Sequence, residues 1–227
     1  MTERETPSVD GLVIAILGGT GDQGRGLARR FALAGHQVII GSRSAERAQS
    51  AAEELGHGVR GLANADAARE AGVVIAAVPW EGHGELLSAL AGELAGKIVV
   101  DCVNPMGFDK QGAYPLPVAE GGPAEGSAAQ QAAALLPDSR VVAAFHHVSA
   151  VLLLDPEVDT MDLDVLVLGD DREATDLVQA LAARIPGMRG VFAGRLRNAH
   201  QVESLVANLI SVNRRYKAHA GLRVTDI

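Results

Sequence analysis

Residues 12–24 read LVIAILGGTGDQG, so that six apolar side chains lead directly into a turn that contains four glycines. An unbroken apolar segment is typical of a strand that is covered on both faces, as in a parallel sheet. Gly19, Gly21 and Gly24 match the spacing G-x-G-x-x-G, in which the backbone approaches the pyrophosphate of a dinucleotide. We interpret the segment as the first strand, the phosphate-binding turn and the first helix of a dinucleotide-binding fold. A glycine-rich turn without a ligand is the alternative.

The same kind of apolar segment recurs along the chain, at 38–40, 73–78, 98–100, 141–145 and 165–168. Between these segments leucines return every three or four residues, which is the spacing of one helix face. This alternation predicts an α/β protein of the Rossmann type with a doubly wound, mostly parallel sheet. We expect a dinucleotide-binding domain at 1–145. A smaller C-terminal portion at 146–227, a small α/β annex ending in a long helix, would complete the substrate cleft.

Two regions depart from this pattern. Residues 104–126 contain four of the nine prolines, which predicts a loop rather than a linker because apolar segments resume after it. The last helical segment places Glu203 away from an apolar face that consists of Val202, Leu205, Val206, Leu209 and Ile210. This helix and the apolar stretch 151–154, which we expect to be exposed, favour a homodimer.

The end of the second predicted strand distinguishes NADP from NAD. An NAD site places an acidic residue there, about 20 residues after the glycine pattern, to hold the ribose 2′-hydroxyl. This chain instead has Ser42 and Arg43 at the strand end, with Arg47 four residues later and no acidic residue between Asp22 and Glu46. The hydroxyl and two guanidinium groups, brought to one face by helical spacing, would bind a 2′-phosphate. The sequence therefore predicts NADP(H), and solvated surface arginines are the alternative.

Other candidate contacts follow further strands, because ligands of an open parallel sheet lie beyond the carboxyl ends of its strands. These candidates lie at 78–81, 103–106 and 146–150, and a plain structural role is equally compatible with each. His146 and His147 are neighbours that would point to opposite faces of a strand, so one metal ion could not bind both. We predict no metal site, and a general acid–base role for one histidine stays open.

Composition excludes several classes of function. A net charge of −8 and only seven aromatic residues argue against a nucleic-acid surface. The single cysteine, Cys102, excludes an internal disulfide and fits a reducing compartment. No apolar segment approaches the ~18 residues of a membrane span, and no signal-peptide core is visible. We expect a cytoplasmic protein with small-molecule partners, no nucleic acid and no membrane.

Taken together, these segments resemble the coenzyme F420-dependent NADP reductases, also called NADPH:F420 oxidoreductases. The resemblance lies in the glycine turn, the Ser-Arg pair after the second strand, a P-W-E motif, the F-H-H-V-S-A segment and the V-E-S-L of the last helix, at 17–24, 35–43, 79–81, 145–150 and 202–205. It spans nearly the whole chain.

The resemblance implies an oxidoreductase that transfers hydride reversibly between NADP(H) and coenzyme F420, an 8-hydroxy-5-deazaflavin. It implies no acid–base or covalent catalytic residue, because the protein mainly orients two cofactors. Combined with the strand ends above, it predicts cofactor-binding residues in three groups. For the pyrophosphate they are Gly19, Thr20, Gly21, Asp22 and Gln23; for the 2′-phosphate, Ser42, Arg43 and Arg47; and for the nicotinamide end, Val78, Pro79, Trp80, Asn104, Val148 and Ala150.

Two other functions share the same N-terminal pattern. One is an NADPH-dependent reductase of a small imine or keto substrate, which a panel of such substrates would reveal. The other is a non-catalytic redox sensor that binds NADP(H) tightly without turnover. Both alternatives stay open because a fold alone does not determine function.

Overall fold

The structure, a computed structural model, describes residues 7–227. In this range the strands are β1 (Val13–Leu17), β2 (Gln37–Ser42), β3 (Arg60–Ala63), β4 (Val73–Ala76), β5 (Ile98–Asp101), β6 (Met106–Phe108), β7 (Ala113–Pro115), β8 (Arg140–Ala143), β9 (Leu163–Gly169) and β10 (Met188–Gly194). The helices are α1 (Asp22–Leu33), α2 (Ala45–Leu55), α3 (Asn64–Glu70), α4 (Trp80–Ala89), α5 (Ala91–Leu94), α6 (Ala128–Leu135), α7 (Ala150–Leu154), α8 (Arg172–Ala182) and α9 (Ala199–Tyr216).

Eight of the strands described in 7–227 form one sheet in the order β10-β9-β8-β5-β4-β1-β2-β3. The strands from β3 through β8 in this order are parallel, β9 is antiparallel to β8, and β10 is parallel to β9. The connections reverse direction between β1 and β4, and at such a switch point open α/β sheets bind their ligands. The sheet passes through β8 and β9 from 1–145 into 146–227, and the division into two domains stays a prediction.

The sheet is covered on both faces, because alternate side chains of its central strands enter different apolar clusters. Ile14 and Ile16 of β1 pack in a cluster with residues of α1, α2 and α8. Ala15 and Leu17 pack in a second cluster with residues of α3, α4, α6 and α9. A strand buried on both sides has no polar positions to alternate with, which explains the unbroken apolar segment of the sequence. The predicted fold class is confirmed.

The sequence did not predict the two edge strands, β3 and β10. Neither has a dense apolar segment, and both are only partly buried because one edge of each faces away from the sheet. Each carries a glycine beneath a crossing helix. A Cβ at Gly61 would lie 2.2 Å from the Ala48 carbonyl carbon, and one at Gly190 would lie 2.4 Å from the Gln179 Cα. Glycine therefore permits the helix to pack directly on the strand.

The predicted loop at 104–126 is wrong in part, because β6 and β7 form an antiparallel hairpin within it. Strand ends also differ from the prediction. β4 ends at Ala76 and β8 ends at Ala143, so His146 and His147 lie in a turn and not on a strand. The two histidines therefore do not occupy opposite faces of a strand.

The long C-terminal helix is confirmed as α9, but one of its assigned positions is wrong. Glu203, predicted to lie away from the buried face, is only 3% exposed. The predicted exposed apolar stretch at 151–154 is also wrong in part, because Leu153 is fully buried and only Val151 is exposed. Among the helices of residues 7–227, none is both long enough and apolar enough to cross a membrane.

Candidate functional site

The glycines of the turn between β1 and α1 allow its backbone to pack closely against its neighbours. Gly18 has a φ of +67°, and a Cβ there would lie 2.2 Å from Cγ1 of Val78. A Cβ at Gly24 would lie 2.6 Å from the Cα of Gly19. The amide of Gly19 donates to the carbonyl of Gly41, 3.0 Å away. Packing thus requires glycine at these positions, and the turn lies against both neighbouring strand ends.

Gly21 differs from the other glycines of the turn. Its φ of −81° is ordinary, and a Cβ there would meet no atom of residues 7–227 within 4 Å. The protein itself therefore does not require glycine at this position, whereas a ligand lying on the backbone would. In the same range the amides of Thr20, Asp22 and Gln23 have no acceptor. They belong to the turn and the first residues of α1, where the helix dipole favours an anion.

The second strand end carries the predicted 2′-phosphate residues. Ser42 is buried, and its Oγ accepts the amide of Ser44. Ser44 caps α2 by accepting the amide of Arg47. Arg43 precedes the helix, so the expectation that Arg43 and Arg47 share a helix face is wrong. Both arginines are exposed, and neither forms an ion pair within residues 7–227.

The carboxylate of Glu46, which precedes Arg47, is bound by the cap of α2. Glu46 accepts a hydrogen bond from the Ser44 hydroxyl at 2.6 Å, and this bond lowers the pKa of Glu46. The Glu46 carboxylate is thus bound at the start of α2. Arg43 and Arg47 bind no acceptor within residues 7–227 through their side chains, so their donors are available to an anionic ligand.

The ends of β4 and β5 contribute two side chains with different roles. Trp80 is the first residue of α4 after Pro79, and its indole nitrogen donates to the carbonyl of Gly121 at 2.7 Å. The indole N–H of Trp80 is therefore already bound by the segment after the hairpin. Asn104 donates to the carbonyl of His146 at 2.9 Å, while its buried Oδ1 has no partner within residues 7–227. Asn104 thus presents an unused acceptor at the strand ends.

The segment after β8 completes the edge of the site. The Gln23 side chain donates to the carbonyl of Phe145 at 3.3 Å, which joins the start of α1 to this segment. Val148 is buried, and Ser149 caps α7 by accepting the amide of Leu152. Ala150, the first residue of α7, is half-buried. The predicted residues that follow β1, β4, β5 and β8 therefore lie beyond the carboxyl ends of neighbouring strands.

The two histidines of this segment are uncharged at neutral pH. Burial lowers the pKa of His146 to about 4 and, with His146 beside it, that of His147 to about 4. Nε2 of His147 accepts the amide of Leu166, which places its ring proton on Nδ1. Within residues 7–227 no group of three or more His, Cys, Asp or Glu side chains is arranged to hold a metal ion. Cys102 is a buried core side chain. Burial raises the pKa of its thiol, which disfavours the reactive thiolate.

Behind the strand ends lies a buried polar network that the sequence did not predict. Nε2 of His83 contacts Asp101 at 2.6 Å, and Nδ1 contacts Gln131 at 3.0 Å. Burial lowers the His83 pKa, but the Asp101 carboxylate, the hydrogen bond to Gln131 and the charge of Glu203 together outweigh burial and raise it. Glu203 of α9 accepts the amides of Ala128 and Ala129 at the start of α6, at 2.9 and 3.2 Å. The only signal in the sequence was a glutamate among apolar helix positions.

Glu203 gives a testable pH dependence of stability. Burial raises its pKa from an ordinary 4.5 to about 7, so the folded state binds a proton that the unfolded chain has already lost. Stability should therefore fall as the pH rises from about 5 to 8, by roughly 2–3 kcal/mol. His83, whose pKa is also raised, adds a loss in the same direction. Urea unfolding of Glu203→Gln at both pH values should show a clearly smaller loss, whereas the exposed control Glu85→Gln should follow the unaltered chain. Equal losses in all three proteins would contradict the assignment.

Comparison with known proteins identifies the family. Residues 13–105 match the family model described as NADP oxidoreductase, coenzyme F420-dependent. The F420-dependent NADP reductase of Methanothermobacter marburgensis is 40% identical to this chain, and the match covers 94% of this chain and 98% of that protein. The chain belongs to the F420-dependent NADP reductase family. The resemblance found in the sequence is thereby confirmed.

Two further comparisons, with a solved structure and with a metalloreductase, differ in how much of the other protein is matched. A crystal structure from Arthrobacter sp. FB24, described as a candidate F420-dependent NADP reductase, is 28% identical with a TM-score of 0.81. The match covers 95% of this chain and 100% of that one. The rat metalloreductase STEAP3 is 31% identical over 85% of this chain, but only 36% of STEAP3 is covered. The F420-dependent reductases therefore match over their full length, and the metalloreductase does not.

Proposed function

We propose that the chain is an NADPH:F420 oxidoreductase that transfers hydride reversibly between NADP(H) and coenzyme F420. The observation that carries this proposal is the 40% identity to an F420-dependent NADP reductase over nearly the whole of both chains. Many reductases share the dinucleotide-binding turn, but a match of this extent also includes the hairpin and the last helix. Neither the reduction of a small imine or keto substrate nor a non-catalytic sensor is favoured.

For NADP(H), we assign the pyrophosphate to the free amides of the β1–α1 turn, with Gly19, Gly21 and Gln23 shaping it. The open space over Gly21 and the N-terminus of α1 support this assignment. The 2′-phosphate is assigned to the hydroxyl of Ser42 and to Arg43 and Arg47, the two arginines without an ion pair in the described part of the chain. The two guanidinium groups offset the negative charge of a phosphate, and the three side chains together provide donors for its oxygens.

For the nicotinamide end, we assign Val78, Pro79, Asn104, Val148 and Ala150. Val78 adjoins the glycine turn, and the unused Oδ1 of Asn104 can accept a donor such as an amide N–H. Val148 and Ala150 offer an apolar wall. Trp80 is the weakest of the predicted contacts, because its indole N–H is already bound to Gly121.

The reaction needs orientation more than proton chemistry from the protein. A bound dihydronicotinamide supplies a hydride to the deazaflavin, which also takes up one proton from water. The chain's own residues bind the two cofactors, align them and exclude water with an apolar wall. His146 and His147 stay neutral near pH 7, so neither is suited to donate a proton as an imidazolium. This supports a site without an acid–base catalytic residue.

The function is tested by mixing the purified chain with NADPH and F420 under anaerobic conditions. We expect the visible absorbance of the oxidised deazaflavin to disappear, and NADP+ with reduced F420 to restore it. NADH in place of NADPH is the control and should give a much slower change. An unchanged spectrum at high enzyme concentration, with NADP+ bound in a parallel titration, would exclude the activity.

We also propose that the enzyme acts in the cytoplasm as a homodimer. The single cysteine supports a reducing compartment. The exposed side chains of Val151 and Phe192, at 57% and 53%, are candidate interface residues. Light scattering coupled to gel filtration should give a mass twice that of one chain, and a monomer at micromolar concentration would contradict the dimer.

A further inference from the structure

Arg30 of α1 makes an unusual set of hydrogen bonds for a buried arginine. The residue is 4% exposed, and every acceptor that its side chain contacts among residues 7–227 is a backbone carbonyl. Nε donates to Leu153 at 2.8 Å, Nη1 to Val158 at 2.6 Å, and Nη2 to Leu152 at 2.6 Å and Asp155 at 3.2 Å. The guanidinium thus binds the carbonyls at the end of α7 and in the turn that follows.

These carbonyls are those that a helix leaves without partners at its C-terminus. α7 has only five residues, and so short a helix depends on tertiary contacts for its stability. Ser149 caps its start, and Arg30 caps its end. A buried cation beside the end of a helix also interacts favourably with the helix dipole. Arg30 is therefore the main polar contact that fixes α7 on α1.

Gly26, one helical turn before Arg30, allows the two helices to touch. A Cβ at Gly26 would lie 2.6 Å from Cβ of Leu153, which no side-chain rotation can relieve. Gly26 and Arg30 occupy the same face of α1. One residue sets how closely α7 approaches α1, and the other holds it there.

We infer that Arg30 is a positioning residue, which fixes the apolar wall at Val148–Ala150 relative to the phosphate-binding turn. α1 begins at the pyrophosphate site and reaches Arg30 eight residues later, about 12 Å along its axis. One rigid helix therefore connects the phosphate-binding turn to α7, which begins at the apolar wall. The inference rests on the proposed function, since it assigns the segment before α7 to the nicotinamide end. Hydride transfer is sensitive to such positioning because the reacting carbons must meet at about 3–3.5 Å.

The test uses Arg30→Lys, which keeps the charge but offers donors from one nitrogen and cannot reach four separated carbonyls. Gly26→Ala is the second variant, because its added methyl displaces Leu153 and with it α7. The matched control is Asp171→Ala, which removes the cap that accepts the Ala174 amide at the start of α8. This control lowers stability without touching α7.

The first measurement is hydrogen exchange of the cofactor-free protein. Amides in 146–158 should exchange at least tenfold faster in Arg30→Lys and Gly26→Ala than in the unaltered chain, and at an unchanged rate in Asp171→Ala. Unchanged exchange in both α1 variants would overturn the inference. This result does not depend on F420 activity, so it separates a failure of the inference from a failure of the proposed function.

The second measurement is steady-state F420 reduction. In both α1 variants kcat should fall about tenfold while KM for NADPH stays within twofold, and the deuterium isotope effect from C4-deuterated NADPH should increase. Asp171→Ala should change none of the three. Kinetics of the α1 variants that match those of the control, or a loss confined to KM, would also overturn the inference.

Discussion

Replacing both Arg43 and Arg47 by alanine should raise KM for NADPH by at least about 100-fold and leave KM for NADH within a factor of two. Each arginine would donate charge-assisted hydrogen bonds to the 2′-phosphate, and losing two such contacts costs about 3 kcal/mol or more. Both side chains are exposed and form no ion pair within residues 7–227. The fold should therefore not be affected, and steady-state kinetics with the two dinucleotides measures the difference.

The matched control for this pair is Arg69→Ala. Arg69 is an exposed arginine that pairs with Asp66 and Glu93 away from the turn, and its loss should change neither constant. Equal increases of KM for NADPH and NADH in the double variant would show that the phosphate is held elsewhere. In that case the assignment of NADP(H) to this strand end would be wrong.

Replacing Gly21 by aspartate should abolish most NADP(H) binding while the stability of the protein stays the same or rises. Gly21 is the N-cap of α1 with extended backbone angles and no side-chain cap, and aspartate is among the best N-cap residues. We expect a gain of about 0.5–1 kcal/mol in unfolding free energy. The carboxylate would occupy the space and the amides assigned to the pyrophosphate, so the Kd for NADP+ should rise at least about 100-fold.

Two controls interpret the Gly21 result. Gly21→Asn caps the helix without a charge and should weaken binding less than aspartate does. Gly24→Ala should instead destabilise the fold by about 2 kcal/mol or more, because its Cβ would clash with the Gly19 Cα. Chemical denaturation and calorimetric titration give both quantities. A Gly21→Asp protein that binds NADP+ normally would contradict the location of the pyrophosphate.

The parts of the fold that the sequence predicted are those with a local physical signature. The segment 12–24 predicted β1, the turn and the start of α1, because burial on both faces and close backbone packing leave apolar runs and glycines in fixed positions. The Ser42–Arg43 pair also has a local signature, because polar and charged residues at a strand end stand out from the apolar residues of the core, but its assignment to the 2′-phosphate stays a prediction. The family resemblance supplied the second cofactor.

Other features could not be predicted, because their partners are distant or carry no side-chain signal. Arg30 binds backbone carbonyls 122 to 128 residues later, and any residue type provides a carbonyl. Glu203 is a buried carboxyl group whose partners are the backbone amides that begin α6, and backbone amides leave no mark in the sequence. The edge strands β3 and β10 lack the apolar density of the central strands.

Deuterium transfer tests the central proposal, direct hydride transfer between the two cofactors, more directly than any rate. NADPH labelled with deuterium on each face of C4 in turn is reacted with F420 and the unaltered chain, and the mass of the reduced deazaflavin is measured. We predict that one of the two labelled isomers delivers a single, non-exchanging deuterium to the product in ordinary water. Reduced F420 that carries no label from either isomer would contradict it.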